Sequence, residues 1–285
     1  MQFALYGRNP KENDIIYVEE LIKHIETLSS KVIIHNIFYE QIKDRVSFSF
    51  PPTIFSKKEE IIDKVSFLLS LGGDGTLLDT LPIVCNSNIP VLGINIGHLG
   101  FLTSAGRDDI KTLLEQLTNG EYSIEEHSLL KLDSFYALND ITIRSQKAGE
   151  LLDISLYIDD DFLATYTSDG IIITSPTGST AYNMSAGGPI ITPKTPCFGI
   201  TPICPHNLTF RPLIIPDNSK ISLQVEEENE NIALCIDSQL KVIKAPFNIV
   251  IQKADFNLKL VRMKNQNFFG AIRKKLMWGT YIRRG

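Results

Sequence analysis

The sequence predicts an α/β domain followed by an all-β domain. In the first part of the chain, apolar runs of strand length alternate with segments whose apolar residues recur at helical spacing. After about Tyr122 the pattern changes to short alternating runs separated by turn residues, which is typical of a β-sandwich. The last segment, residues 268–278, is helical in pattern and is expected to return to the first domain. We therefore expect an N-terminal α/β domain at residues 1–122, joined by 262–285, and a C-terminal domain at residues 123–261.

The first domain has a strand–helix rhythm. Strands are predicted at residues 3–6, 32–34, 65–71 and 91–94. Helices are predicted at residues 13–28, 76–84 and 110–117. This alternation implies a parallel sheet covered by helices.

The second domain has a strand rhythm with little helix. Strands are predicted at residues 129–135, 141–144, 151–158, 162–167, 171–174, 221–225, 232–236 and 247–251. The one helical pattern lies at residues 179–185.

Bulk composition excludes several classes of protein. The net charge of −5 argues against a general nucleic-acid binder, which would carry a basic face. The 4 cysteines form no Cys-x-x-Cys pair, so neither a disulfide scaffold nor a zinc site is expected. No run of about 18 apolar residues occurs, so we expect no membrane span and a cytoplasmic location. No Gly-x-Gly-x-x-Gly follows the first strand, which disfavours a dehydrogenase.

The loop after the apolar run at residues 65–71 is the first candidate site. Gly72, Gly73, Asp74, Gly75 and Thr76 form a glycine-rich turn that opens a helix. Glycines let the backbone approach a ligand closely, and a helix start favours phosphate. Asp74 could accept a proton from a hydroxyl or hold a metal beside phosphates. The alternative is that Asp74 only caps the helix.

Three further segments carry polar or aromatic residues beside predicted strand ends. In residues 93–102, Phe101 could stack on a flat base, or it could be an ordinary buried aromatic next to a hydrogen-bonded His98. Residues 168–189 crowd hydroxyls and glycines between a strand and a short helix, a surface suited to a polar ligand or to a structural loop. The pair Asn139-Asp140 heads a strand and taken alone is an ordinary turn.

Together these segments, in this order, resemble the NAD kinase family. The similarity continues at residues 201–212, 235–239 and 268–279, whereas residues before about Val65 carry little of it. The Gly-Gly-Asp-Gly-Thr loop also resembles that of lipid kinases and phosphofructokinases, and the segment 177–182 is more specific. The resemblance implies transfer of the ATP γ-phosphoryl group to the 2′-hydroxyl of the adenosine ribose of NAD, giving NADP. It also implies Mg²⁺ or another divalent cation and a homo-oligomer, a dimer or tetramer.

The resemblance also implies residue roles. Asp74 corresponds to the catalytic residue that accepts the hydroxyl proton and contacts NAD. Further NAD contacts are implied at Gly75, Phe101, Asn139, Asp140, Asp169, Thr177, Thr180, Ala181, Tyr182, Asn183, Ser185, Asp237 and Gln239. Contacts to the ATP phosphates are implied at Gly72, Gly73, Gly75 and Thr76. The metal ligands stay open, and the candidate cations for the ATP phosphates are Arg144, Lys147 and Arg211.

The chain departs from the family pattern at two positions. Asp140 stands where the family usually has Glu, which shortens the reach of that carboxylate, and Ser175 stands where Thr is usual. Two other functions remain open: a lipid or sugar kinase that shares the loop, and a dinucleotide-binding regulator without catalysis. The segment 177–182 and Asn139-Asp140 disfavour the first, and the intact Asp74 disfavours the second.

Overall fold

The computed structural model describes residues 1–29, 31–96, 100–106, 110–147, 149–226, 231–264 and 266–279. Two compact units form in the chain: Met1–Glu125 together with Lys259–Gly285, and Glu126–Leu258. No helix in the described ranges is long and apolar enough to cross a membrane.

The helices and strands are numbered in chain order. The strands are β1 (Phe3–Gly7), β2 (Ile33–His35), β3 (Thr53–Phe55), β4 (Phe67–Leu71), β5 (Val91–Ile94), β6 (Tyr122–His127), β7 (Leu130–Leu132), β8 (Phe135–Ala137), β9 (Asp140–Ser145), β10 (Leu152–Ile158), β11 (Asp161–Ser168), β12 (Gly170–Thr174), β13 (Cys197–Ile203), β14 (Leu213–Pro216), β15 (Ile221–Val225), β16 (Asn231–Ile236), β17 (Gln239–Lys244), β18 (Phe247–Lys253) and β19 (Leu258–Met263). The helices are α1 (Glu12–Ser29), α2 (Asn36–Ile42), α3 (Asp74–Leu78), α4 (Leu81–Val84), α5 (Ile110–Thr118), α6 (Tyr182–Ser185) and α7 (Phe268–Leu276), with 3₁₀ turns at Lys58–Glu60 and Thr177–Thr180.

The first unit contains a sheet in the order β3-β2-β1-β4-β5-β19-β6. The pairs β3–β2, β2–β1, β1–β4, β4–β5 and β5–β19 are all parallel. Every residue of β1, β4 and β5 is buried, as expected for strands covered on both faces. The α/β fold class predicted for this part of the chain is therefore confirmed.

The second unit is an antiparallel sandwich of two sheets. One sheet has the order β11-β10-β15-β18-β7-β8, and the other has the order β14-β13-β12-β9-β16-β17. Apolar side chains from both sheets, among them Leu156, Ile171 and Phe198, form its core. The predicted β-sandwich is confirmed.

Three predicted elements differ from the structure, each for a local reason. The helix predicted at 76–84 is split into α3 and α4, because Pro82 in the first turn of α4 has no amide to continue the hydrogen-bond ladder. The strand predicted at 129–135 is divided into β7 and β8 by Asp133, whose φ of 53° is left-handed. The helix predicted at 179–185 is a 3₁₀ turn followed by α6, separated by the non-helical Ala181.

Helix α7 belongs to the first unit and buries one apolar side chain. The Asn267 side chain caps the helix by accepting a hydrogen bond from the Gly270 amide at 2.7 Å. Ile272 is 5% exposed, whereas Phe269 on the same helix is 60% exposed. The packing of α7 therefore depends on Ile272 more than on the larger Phe269.

This difference predicts the stability of two variants. Ile272→Ala should lower the free energy of unfolding by about 2–5 kcal/mol, because it removes a buried side chain and leaves a cavity. Phe269→Ala, the control on the same helix, should change it by no more than about 0.5 kcal/mol. Chemical denaturation measures both values. Equal losses would contradict the described packing of α7.

Candidate active site

The loop that follows β4 exposes its backbone. A Cβ added to Gly72 would lie 2.3 Å from Oγ1 of Thr76, so only glycine allows the loop to close onto α3. Gly73 and Gly75 differ, because no heavy atom of the described residues lies within 4 Å of a Cβ added to either. Neither has a left-handed φ. Packing therefore gives no reason for these two glycines, and they leave the backbone open to a ligand.

The Asp74 carboxylate accepts three backbone hydrogen bonds from one turn. The amide of Phe101 donates to Oδ2 at 2.6 Å, and those of Leu102 and Thr103 donate to Oδ1 at 3.1 and 3.2 Å. The N-cap of α3 is Gly73, and no side chain caps the helix. The alternative that Asp74 only caps its helix is therefore wrong, because its carboxylate is directed to another segment of the chain.

Gly100 gives the carboxylate room to reach this turn. A Cβ at Gly100 would lie 1.6 Å from Oδ1 of Asp74, so no other residue fits there without moving the carboxylate. The Gly100 amide donates to Oγ1 of Thr103 at 3.0 Å and so closes the turn. The other residues predicted in this segment, Gly97, His98 and Leu99, lie outside the described residues.

Arg262 on β19 contacts the opposite side of the same turn. Its Nη1 donates to the carbonyl oxygens of Phe101 and Leu102 at 3.3 and 3.2 Å and to Oγ of Ser104 at 3.0 Å. Its Nε donates to Oε2 of Glu125 at 2.8 Å. A cavity of about 420 Å³ lies beside the turn and is lined in part by Phe101 and Arg262.

A second cation from α7 covers the ring of Phe101. Nζ of Lys275 lies 4.2 Å from the ring centroid, within the range of a cation–π contact. Burial lowers the pKa of Lys275, and the nearby Asp74 carboxylate partly opposes this shift. Lys275 therefore places positive charge near Asp74.

In the second unit, two of the predicted segments lie side by side. Thr174, at the end of β12, pairs with Asp140, at the start of β9. A Cβ added to Gly178 would lie 2.1 Å from the carbonyl oxygen of Asn139, so this glycine permits the close approach of the two segments. The antiparallel register thus brings Asn139-Asp140 next to the 3₁₀ turn Thr177–Thr180.

Asp237 fixes the backbone of the Asn139-Asp140 pair. Its carboxylate accepts hydrogen bonds from the amides of Leu138 and Asn139, each at 2.8 Å, and of Asp140 at 3.1 Å. Burial raises the pKa of Asp237 to about 6, although the three amides act in the opposite direction. The geometry therefore shows Asp237 holding the main chain of residues 138–140.

The Asp140 carboxyl is buried with one hydroxyl as its described partner. It is 7% exposed and accepts a hydrogen bond from Oγ1 of Thr142 at 3.0 Å. Burial, and then the charge of Asp237, raise the pKa of Asp140 to about 7, while Thr142 lowers it. Burial of Asp140 therefore favours its protonated form.

The residues predicted between 177 and 185 divide into buried and accessible ones. Asn183 is buried. Its Nδ2 donates to the carbonyl oxygens of Ser179 and Pro189, and its Oδ1 accepts a hydrogen bond from the hydroxyl of Thr201. Thr177 is also buried, and its hydroxyl lies 2.8 Å from Nδ1 of His127. The accessible predicted residues here are Thr180, Ala181, Tyr182 and Ser185.

Asp169 and Tyr182 line a second cavity of about 240 Å³, together with Arg144 and Lys147. These two cations are therefore near predicted site residues. Arg211 instead donates to the carbonyl oxygens of its own loop, at Leu208 and Phe210. Gln239 is exposed at the start of β17.

Comparisons with known proteins agree over nearly the whole chain. Residues 8–122 match the ATP-NAD kinase N-terminal domain, and residues 138–263 match the ATP-NAD kinase C-terminal domain. The chain belongs to the NAD kinase family. It is 36% identical to the NAD kinase of Cytophaga hutchinsonii, over 99% of this chain and 100% of that protein. It is 33% identical to an NAD kinase of Porphyromonas gingivalis, over 99% of each chain.

Two solved structures, one of an NADH kinase and one of an NAD kinase, resemble this chain in fold. The yeast NADH kinase complexed with NADH has a TM-score of 0.87 and 25% identity, and the match covers 100% of this chain and 90% of that one. The NAD kinase of Archaeoglobus fulgidus in complex with ATP has a TM-score of 0.73 and 25% identity, covering 97% and 99%.

Sequence reasoning missed three contacts of this NAD kinase family site. The residues concerned are Arg262, Lys275 and Gly100, which hold or cover the turn at residues 100–104. Gly100 and Lys275 lie in segments that resemble the family, but nothing in the sequence gave either of them a role, and Arg262 carried no signal. In the described ranges, no group of three or more His, Cys, Asp or Glu residues could hold a metal ion.

The raised pKa values of Asp140 and Asp237 predict how the stability of this NAD kinase family member depends on pH. Asp140 and Asp237 have raised pKa values in the folded protein, so the folded state binds more protons than the unfolded state between about pH 4 and pH 7. This contribution therefore favours folding at low pH and is lost as pH rises through that window. Asp140→Asn should be more stable than the wild type at pH 8, and the difference should shrink towards pH 4.

Denaturation curves at several pH values measure this effect. The exposed Asp161 provides the control, since Asp161→Asn should follow the wild-type profile. Wild-type and Asp140→Asn profiles that run parallel would show that Asp140 ionises as freely in the folded protein as in the unfolded chain.

Proposed function

We propose that the chain transfers the γ-phosphoryl group of ATP to the 2′-hydroxyl of the adenosine ribose of NAD, giving NADP. One observation carries this proposal beyond family membership. The carboxylate of Asp74 is oriented by three amides directly beside the open backbone of Gly73 and Gly75. Phosphoryl transfer depends mainly on the positioning of the reacting groups and on charge neutralisation. We propose that this loop provides the positioning.

Asp74 is proposed to accept the hydrogen bond of the ribose hydroxyl. A carboxylate has about four acceptor positions, and three are used by the amides of residues 101–103. One position is left for the hydroxyl, in an orientation that the turn fixes. A carboxylate at hydrogen-bond distance helps as the hydroxyl proton leaves during attack on the phosphorus.

The phosphates of ATP are proposed to lie against the loop of Gly72, Gly73, Gly75 and Thr76. The open space at Gly73 and Gly75 supports this role, because a side chain there would stand between the backbone and the ligand. We propose that Mg²⁺ or another divalent cation arrives on the ATP phosphates as part of the substrate. Mg²⁺ commonly binds substrate phosphates and water with few protein ligands.

NAD is proposed to contact two kinds of residue in the second unit. Accessible residues are suited to direct contact: Asn139, Asp169, Thr180, Ala181, Tyr182, Ser185 and Gln239. Asp140 and Thr177 are buried, so only the small exposed part of each side chain is proposed to contact the ligand. Asp237 and Asn183 have their described hydrogen bonds within the fold, and we propose that they shape the site around the dinucleotide.

Two other features that the resemblance implies, and a location that we expect from the sequence, are part of the proposal. Phe101 is proposed to lie beside the adenine, with one ring face against Lys275. We also propose a homo-oligomer, dimer or tetramer, and a cytoplasmic location. Lipid or sugar phosphorylation and non-catalytic NAD binding are the alternative functions.

An assay with NAD, ATP and Mg²⁺ tests the proposal directly. The purified chain should form NADP, and Asp74→Asn should lower turnover by about 10²- to 10⁴-fold because it removes the general base. Asp79→Asn is the control, since Asp79 lies one residue beyond α3 and pairs with Arg8. Phosphorylation of a lipid or sugar without NADP formation would refute the proposal, and NAD binding without turnover would favour the regulator.

The Asp74→Asn variant needs a stability measurement beside the assay. Asparagine has one acceptor oxygen, so its amide group faces at least one of the three backbone donors at residues 101–103. Leaving a donor unpaired costs about 1–3 kcal/mol. Turnover should therefore be compared under conditions in which thermal unfolding shows the variant to be folded. Turnover within a few-fold of the wild type would remove Asp74 from the mechanism.

A further inference from the structure

We propose that Arg262 is a positioning residue that orients the Asp74 carboxylate through the turn at residues 100–104. The inference rests on the proposed function, because it gives Arg262 a part in the same reaction. Arg262 contacts neither the glycine loop nor Asp74 among its described hydrogen bonds, so its action on Asp74 is indirect.

Two consecutive peptide planes of the turn are held from both sides. In the plane between Phe101 and Leu102, the carbonyl accepts from Arg262 and the amide donates to Asp74. In the plane between Leu102 and Thr103, the carbonyl again accepts from Arg262 and the amide again donates to Asp74. The carbonyl and amide of a trans peptide point in opposite directions from one rigid plane. Rotation of either plane therefore breaks both hydrogen bonds at once.

The charge of Arg262 also strengthens the amide donors. A guanidinium on the carbonyl side of a peptide polarises it, and hydrogen bonds in a chain strengthen one another. The ion pair with Glu125 fixes the guanidinium, whose side chain is 12% exposed. A continuous series of hydrogen bonds thus connects Glu125 to Arg262 and, through the two peptides, to Asp74.

Arginine is required by the geometry. Its planar fork presents several donors in fixed directions, and here they reach Glu125 through Nε and the turn through Nη1. A lysine ammonium is a single point donor and can serve only part of this arrangement. We therefore expect Arg262→Lys to restore part of what Arg262→Met loses.

A comparison of steady-state kinetics tests the positioning role. Arg262→Met should lower kcat by about 10- to 100-fold, since a small displacement of a reacting group has effects of that order. The KM for NAD and the KM for ATP should change little. Arg262 also lines the cavity of about 420 Å³, so a rise in the KM for ATP at unchanged kcat would show direct contact with the donor and overturn the proposal.

Arg45 provides a matched control within the same unit. It pairs with Glu12 at 2.8 Å and donates to the carbonyl oxygen of Pro10 at 3.2 Å, so it too joins a carboxylate to the backbone. Arg45→Met should leave kcat unchanged even if it lowers the melting temperature. A comparable fall in kcat for Arg45→Met and Arg262→Met would show a general loss of structure and overturn the proposal.

A double variant separates action through Asp74 from other effects. When Asp74 is already Asn, adding Arg262→Met should have little further effect on kcat, because residues that act as a unit are not additive. If Arg262→Met lowers kcat by the same factor in the Asp74→Asn background as in the wild type, Arg262 does not act through Asp74. If Arg262→Met does not fold, Glu125→Gln keeps Arg262 and removes only its charged partner, and it should give a smaller fall in kcat. No fall in that variant would overturn the proposal.

Hydrogen exchange provides a readout that does not depend on activity. The amides of residues 101–103 should exchange faster in Arg262→Met than in the wild type, while those of β4 keep their rates. Unchanged exchange at 101–103 would overturn the proposal. A wild type that forms no NADP would refute the proposed function alone, whereas NADP formation with equal kcat in Arg262→Met would refute only the positioning role.

Discussion

The turn beside the glycine loop of the first unit depends on one carboxylate that accepts hydrogen bonds from three backbone amides. Asp74 follows the buried strand β4, and the turn it binds follows β5, the parallel neighbour of β4. Carboxyl ends of parallel strands meet at one edge of the sheet, and ligands bind at this edge in open α/β sheets. Gly100 leaves space for the carboxylate, and Arg262 holds the far side of the turn. The turn that Asp74 binds therefore holds its carboxylate in a fixed orientation.

The second unit uses the same device for a different purpose. Asp237 also accepts three consecutive amides, those of residues 138–140. Hydrogen-bond geometry alone therefore does not distinguish a reacting carboxylate from a structural one. Their surroundings do: Asp74 adjoins two glycines with open space beside them, whereas Asp237 faces the buried Asp140. This contrast underlies the different roles proposed for the two aspartates.

Asp140 stands where the resemblance leads us to expect Glu, and its surroundings affect its charge as well as its reach. The shorter side chain is buried against Thr142 and near Asp237, and its pKa rises to about 7. Burial therefore favours the protonated carboxyl, which can donate as well as accept a hydrogen bond.

The sequence by itself determined the fold class, the family and the location of the glycine loop. Hydrophobic period distinguishes strand from helix, and glycines and hydroxyls at strand ends are visible in the residue types. The prediction failed where a single residue interrupts an element despite its hydrophobic spacing, as Pro82 does at the start of α4. It also missed β13, whose Gly199 and Pro202 hide its strand pattern.

Only the tertiary structure decided what holds Asp74 in place. Its partners lie 27 to 29 residues away, and the contacts of Arg262 with the same turn span 158 to 161 residues. All three partners of Asp74, and two of those of Arg262 in the turn, are main-chain groups. Almost every residue type offers the same amide and carbonyl, so such contacts leave no trace in the residue types that form them. The fold has to bring the segments together before these hydrogen bonds can be recognised.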